Sequence, residues 1–403
     1  MELNMNPPEN HLKASAACLH PHPDDASRLI ADIPSPCVQN HAANLMPLAN
    51  GDIGCVWFGG SQEGKSDISI YFSRLPKGGA CWTEAVMLSD DSTRSEQNPV
   101  LFPAPDGRLW LFYTAQKSGN QDTSIIRYRI SEDNGQSWGA IGVLFDKAGT
   151  FVRQPVVVLD NGDWLVPVFY CRTEPGEKWV GNNDISAVRI SSDQGRTWSE
   201  VEVPNSVGCV HMNIEKMSDG SLLAVYRSRW ADHIYMGRSI DHGRTWTKPH
   251  PTDLPNNNSS IQLTRLANGH LAMVFNDISA VQATERRVSL YDEIEDEEEG
   301  EVKPAVEPVA ATNVRTAFWG TPRAPMTLAI SEDGGKSWPY KRNLEVGDGY
   351  CMTNNSELQL NREYSYPSIK QTADGLIHIA YTFYRQKIRY VRVREEWVKG
   401  QAE

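Results

Sequence analysis

The octapeptide SEDNGQSW, residues 131–138, begins like a calcium loop, with Glu132 and Asp133 beside Asn134 and Gly135. It is not unique in the chain. SSDQGRTW (191–198), SIDHGRTW (239–246) and SEDGGKSW (331–338) share the pattern Ser-x-Asp-x-Gly-x-(Ser/Thr)-Trp, and GGACW (78–82) keeps a glycine and the tryptophan. A catalytic or metal-binding pair is needed once, whereas this element recurs. Its chemistry is that of a turn: the Asp accepts from backbone amides, the Gly supplies the turn geometry and the Trp offers a large apolar face. We therefore read it as scaffold and expect no metal and no cofactor.

A second mark accompanies it. Asn-Gly or Asp-Gly occurs at 50–51, 106–107, 161–162, 219–220, 268–269 and 374–375, flanked by β-rich apolar runs such as VVVLDNGDWLVPVFY (156–170). Such dipeptides tolerate the positive φ of a tight hairpin turn. From turn glycine to octapeptide tryptophan the interval is 31 residues (107 to 138), 36 (162 to 198) and 26 (220 to 246), and 31 for the degenerate copy (51 to 82). A repeat of about 50–60 residues built only of strands predicts an all-β fold, a six-bladed β-propeller with four-stranded antiparallel blades. The expected domain runs from 30 to 397, with tails at 1–29 and 398–403. The fifth repeat is stretched to 69 residues between its marks (269 to 338), and its acidic excess YDEIEDEEEGEVKPAVEPVAA (291–311) reads as a solvated loop insertion at about 283–316.

The bulk numbers exclude several classes. With 403 residues, length alone suggests two or three domains, a prior that the repeat overrides. Lys plus Arg is 39 against 51 for Asp plus Glu, a net charge of −12, and with no basic stripe nucleic-acid binding is not expected. The seven cysteines show neither metal-type pairing nor a disulfide framework. No secretory signal and no apolar run near the ~20 residues of a membrane span is seen, so the expected setting is the cytoplasm, away from membranes.

Nine or ten residues before each turn glycine, at the start of each blade's first strand, the chain turns polar. The sequences are QNHAAN (39–44), EQNP (96–99), FVRQP (151–155), VHMN (210–213), NNNSS (256–260) and EYSYP (363–367). Buried polar groups need partners, and six clusters converging on one axis read as a ligand site.

The octapeptide is the Asp-box, and the chain from about 30 to 397 resembles the sialidase (neuraminidase) superfamily. That resemblance implies a tyrosine nucleophile assisted by a glutamate, an aspartate acid/base and three arginines on the substrate carboxylate. A neutral phenol is not repelled by an anionic sugar until a base activates it, and this tyrosine is a known exception among retaining glycosidases. Tyr366 of YSYPSIKQTADG matches the nucleophile, with Tyr364 two residues away on the same strand as the competing reading. Arg227 of LLAVYRSRW matches a substrate arginine, with Arg229 competing. Glu63 of GGSQEGKSDISIYFSR stands where the acid/base aspartate would be, with Asp67 competing. Two positions depart: His41 replaces the arginine of the usual Arg-Ile-Pro motif, and His211 replaces the tyrosine's glutamate. Arg153 and Arg323 are candidates for the third arginine, Arg153 equally for a blade-to-blade ion pair; Asn98 and Asn40 complete the expected binding set.

Losing an arginine of the carboxylate clamp removes a charge-assisted bidentate bond, so the resemblance does not specify sialic acid as the sugar. The expected activity is a sialidase-like exo-glycosidase acting on a terminal acidic or neutral sugar of an oligosaccharide or glycoside. In that scheme His211 takes the proton from Tyr366, Glu63 protonates the leaving oxygen, and Arg227 with Arg153 holds the substrate anion. Two rivals stand beside it: a uronate-glycan lyase using His and Tyr for β-elimination, and a non-catalytic glycan-binding propeller. Sugar, linkage, stereochemical outcome and oligomeric state are left open by the sequence.

Overall fold

The computed structural model describes residues 16–174, 176–283, 315–351, 353 and 355–400. Most of the expected acidic insertion therefore lies outside the described residues. The rest is a ring of six antiparallel sheets. Blade 1 runs Gln39–Pro47, Ile53–Gly60, Ser69–Leu75 and Val86–Met87 from axis to rim. Blade 2 spans Ser95–Phe145, blade 4 Cys209–Pro255 and blade 5 Gln262–Glu345, each in the same four-strand order. In blade 3 the inner strand is split into Thr150–Val152 and Val157–Val158, around Arg153-Gln154-Pro155, because proline cannot donate to the ladder.

Blade 6 closes the ring with both ends of the chain. Its inner strands Tyr364–Gln371, Ile377–Phe383 and Lys387–Val393 are completed by Asp25–Ile33 and then His20–His22. This corrects the expected 1–29 tail: from His20 onward the segment is sheet, since an open edge on Lys387–Val393 would leave its amides unpaired. A Cys18–Cys81 disulfide ties this stretch to blade 1, a link that the cysteine spacing did not reveal. At the other end the helix Glu395–Lys399 extends past residue 397, so the tail boundary there moves as well.

Each pair of neighbouring blades encloses its own apolar core, and each core receives one tryptophan in an equivalent place. Trp138, Trp198, Trp246 and Trp338 arrive from the four Asp-boxes and Trp82 from the degenerate copy. Between blades 5 and 6 no Asp-box is present, and Trp397 of the terminal helix fills the place, its indole N–H donating to Asp25 (2.7 Å). Inside the box, Asp193 Oδ1 accepts the amides of Arg196 (3.1 Å) and Thr197 (2.8 Å), and its Oδ2 accepts the Thr197 hydroxyl (2.6 Å). These bonds, the Thr197 hydroxyl first, hold the Asp193 carboxyl down to about 2. All donors to this carboxylate are local, so the turn has no call on a metal. The hairpin glycines of the second mark adopt the left-handed conformation, as at Gly51 (φ 88°) and Gly375 (φ 79°).

Turns and Asp-boxes share one face of the ring. The opposite face carries the starts of the inner strands and the ends of the second strands. Among the described residues no helix is long and apolar enough to cross a membrane.

Candidate functional site

The inner strands do not reach the axis as plain strands. Their register slips between His41 and Asn44, Gln97 and Val100, Val210 and Asn213, and Ser365 and Ser368. At each slip a non-glycine residue takes a left-handed conformation: Ala42 (φ 61°), Asn98 (49°), His211 (53°) and Tyr366 (50°), with Asn258 (55°) at the same level in blade 5. Such residues cost on the order of 1 kcal/mol or more each, and persist only where surrounding structure enforces them. A bulge re-aims a side chain, and here the bulges turn Tyr366 and His211 into one central cluster.

Tyr366 is its hub. Arg227 Nη1 donates to the phenol oxygen at 2.7 Å, while Arg227 Nε donates to Asn258 Oδ1 at 2.8 Å. The guanidinium carbons of Arg153, Arg227 and Arg323 lie 5.4, 5.6 and 5.6 Å from the Tyr366 ring centroid. His41 stacks obliquely on the same ring at 4.2 Å, and His211 meets it edge-on at 5.6 Å. Burial alone would push the phenol up, but Arg227 and then Arg323 outweigh it and draw Tyr366 below the ordinary phenol range.

Around this hub lie three buried ion pairs or shared pairs. Arg229 binds Asp184 through Nε (2.8 Å) and Nη2 (2.6 Å). Arg323 (3.1 Å) and Arg385 (3.0 Å) both reach Glu363 Oε1, and Arg385 also binds Glu63. Five arginines thus face three carboxylates among the described residues, and Arg227 has no carboxylate of its own. Burial pushes the Arg227 guanidinium down to about 10, which leaves it charged at neutral pH. Trp319 covers the cluster, 5.8 Å from Arg227 and 5.1 Å from Arg229, in a segment fixed by Phe318 N–H donating to Arg229 O (2.8 Å).

The two histidines are held well below their usual range, first by burial and then by the surrounding arginines. His211 Nε2 lies 3.4 Å from Arg227 Nη1. That environment is at odds with the expected role of His211 as acceptor of the Tyr366 proton, because an imidazolium there would face a ring of guanidinium groups. His41 Nδ1 bonds the Thr382 hydroxyl at 2.8 Å. His41 Nε2, His211 Nδ1 and Asn98 Oδ1 are buried without a hydrogen-bond partner among the described residues.

Four sequence assignments fall elsewhere. Arg153 is fully buried, and its guanidinium donates to the carbonyls of Ala43 (3.0 Å), Tyr366 (2.9 Å) and Pro367 (3.1 Å), which the bulges leave without ladder partners. It clasps blades 1 and 6 and has little left for a substrate anion. Asn40 is spent on Trp57 Nε1 (2.9 Å) and the carbonyls of Cys37 (2.9 Å) and Gln386 (2.8 Å). Tyr364 points into the core between blades 5 and 6, its hydroxyl near Val346 O and Tyr384 Oη, both at 3.2 Å. The bulge separates it from Tyr366 despite their spacing of two. Asp67 is exposed and caps its own loop through the Ser61 amide (3.0 Å). Part of the polar ring is also bracing: Asn44, Asn213 and Gln262 each accept a backbone amide of the next blade, from Leu101, Leu263 and Ile369.

Arg385 and Glu363 were not singled out from sequence. The signal existed, since LLAVYRSRW in blade 4 and IAYTFYRQK in blade 6 both carry arginine where the second strand ends on the site face.

A ring of six sheets with a buried, arginine-rich cluster around a tyrosine defines a class by fold: six-bladed β-propellers. The family model described as BNR repeat-like domain matches residues 51–379, and the chain belongs to that family. Among solved structures, a Hadza microbial sialidase is similar at TM-score 0.66 and 14% identity, over 90% of this chain and 67% of that one. The leech intramolecular trans-sialidase gives TM-score 0.63 and 14% identity over 91% and 69%, and the Ruminococcus gnavus intramolecular trans-sialidase 0.62 and 14% over 90% and 96%. At these identities the likeness shows a shared fold. No curated protein sequence matches.

Proposed function

We propose that the protein is a sialidase-type exo-glycosidase that removes a terminal acidic sugar from an oligosaccharide or glycoside. The observation that carries this reading is the Tyr366 oxygen, bonded by Arg227 at 2.7 Å inside a cluster of five arginines and three carboxylates. Two positive charges in excess, taken out of water, call for an anionic ligand. A sugar carboxylate on Arg227 and Arg323 would set the anomeric carbon against Tyr366. The Tyr366 oxygen, after loss of its proton to solvent, then forms a bond to that carbon while the glycosidic C–O bond breaks and its electron pair leaves on the aglycone oxygen. Glu63, bonded to Arg385, is the carboxyl proposed to pass that oxygen its proton. Water hydrolyses the tyrosyl glycoside in the second half-reaction.

The deciding assay offers the protein a panel of aryl glycosides of acidic sugars, sialic and uronic, beside neutral ones, and uronate-containing oligosaccharides. Release of the aryl alcohol from acidic members only is the expected result. Ultraviolet-absorbing unsaturated product from the uronate oligosaccharides would instead make it a lyase, and binding without turnover across the panel would leave a glycan-binding propeller.

A further inference from the structure

We propose that Tyr366 rests as a phenolate, ion-paired to Arg227, so that arginines in the folded core do the work that a general base does elsewhere. The proposal rests on geometry. The phenol oxygen accepts from Arg227 at 2.7 Å, and among the described residues no group accepts a proton from it. A neutral Tyr366 would bury an unmatched hydroxyl proton and would leave Arg227 a buried cation without an anion. Ionisation removes both faults together.

The groups facing Tyr366 come from every side of the ring and agree in sign. Arg153 from blade 3, Arg227 and Arg229 from blade 4, Arg323 from the segment before blade 5's third strand and Arg385 from blade 6 are cationic. Against them stand Glu63, Glu363 and Asp184, each already bonded to an arginine other than Arg227. His41 and His211 flank the ring and are kept neutral by the same cations. Arg227 is thus left without a carboxylate, and the acidic group bonded to it is Tyr366.

Its catalytic consequence rests on the glycosidase reading above; the ionisation itself does not. If both hold, the nucleophile needs no proton removed at the moment of attack. kcat/KM should then fall tenfold per pH unit once acid protonates Tyr366.

The test is spectroscopic. The near-ultraviolet difference between the folded protein and Tyr366→Phe isolates one of fourteen tyrosines. Phenolate absorbance that persists below the ordinary phenol range of about 10 is expected. Arg227→Met should move this titration back toward the ordinary value, and Arg227→Lys, which keeps the charge, should largely preserve it. A difference spectrum without phenolate below about pH 10 would overturn the proposal, as would a titration indifferent to Arg227→Met in a variant with native circular dichroism. A phenolate in a protein that turns over no glycoside would break the glycosidase reading and leave this one standing. Turnover with a neutral Tyr366 would do the reverse.

Discussion

The two ends of each blade are built on opposite terms. On the turn face the Asp-box closes its bonds within a few residues: Ser239 and Thr245 both donate to Asp241, Gly243 N–H donates to Ser239 Oγ (3.0 Å), and Trp246 Nε1 donates to Gly243 O (2.9 Å). The Ser, Thr and Gly bonds recur in blades 2, 3 and 5 with only small changes in distance, and the indole bond recurs in blade 3, from Trp198 to Gly195 O at 3.2 Å. On the site face the bulges repeat, but the side chains they carry do not. Five left-handed residues, unmatched charges and unpartnered atoms of His41, His211 and Asn98 are concentrated around one tyrosine. Repetition marks what holds the ring together, and departure from it marks where the ring meets a ligand.

The comparison is broken most forcefully at its centre. Tyr366→Phe should lower turnover of a cleaved glycoside by roughly three orders of magnitude or more, as removal of a nucleophile does. The fold should survive, because the ring stays in place against His41 and only the oxygen is lost. Steady-state kinetics beside circular dichroism checks both halves. Retention of more than about a tenth of the activity would remove Tyr366 from the reaction.

The mirror experiment is on the other face. Trp246 is buried in the core between blades 3 and 4, and Trp246→Ala should cost about 3–5 kcal/mol of folding stability. Activity per folded molecule should be unchanged well below the melting temperature. A variant that melts like the parent would mean that the Asp-box tryptophan is not a structural wedge. One that stays folded yet loses activity would show that the two faces communicate.

The ring was legible because its signals are local. Asn-Gly and Asp-Gly turns and a self-contained octapeptide write their geometry into consecutive residues, and counting between them set the phase of every blade. The phase then placed His41, His211, Arg227 and Tyr366 on the site face, where the structure brings them together. What failed depended on bulges. A slip of the ladder cannot be seen in a string of letters, yet it frees the carbonyls that claim Arg153 and turns Tyr364 away from Tyr366. Arg385 and Glu363 were hidden for a related reason: they meet across 22 residues, from a strand start and a hairpin beyond a second strand. The Cys18–Cys81 pair spans 63 residues and depends on ring closure, which no spacing rule anticipates.

The smallest effect probes the Asp-box from within. Asp241→Ala removes an acceptor for the Thr245 amide (2.8 Å) and hydroxyl (2.6 Å) and for Ser239 Oγ (2.8 Å). By analogy with a lost helix cap, the cost should be about 1 kcal/mol. Its pH dependence identifies the cause. Slight burial works to raise the Asp241 carboxyl, but the Thr245 and Ser239 bonds outweigh it and hold it below the ordinary carboxylate range. A depressed native pKa contributes stability that is present above the unfolded value of about 3.9 and is lost as the pH falls through the native one. The gap in melting temperature between parent and Asp241→Ala should therefore be constant from neutrality down to mildly acidic pH and narrow below about pH 4. Thermal melts across that range decide the matter. A gap that stays open in acid would mean that the side chain acts through packing, and one that is absent at neutral pH would mean that the turn holds its shape without the carboxylate.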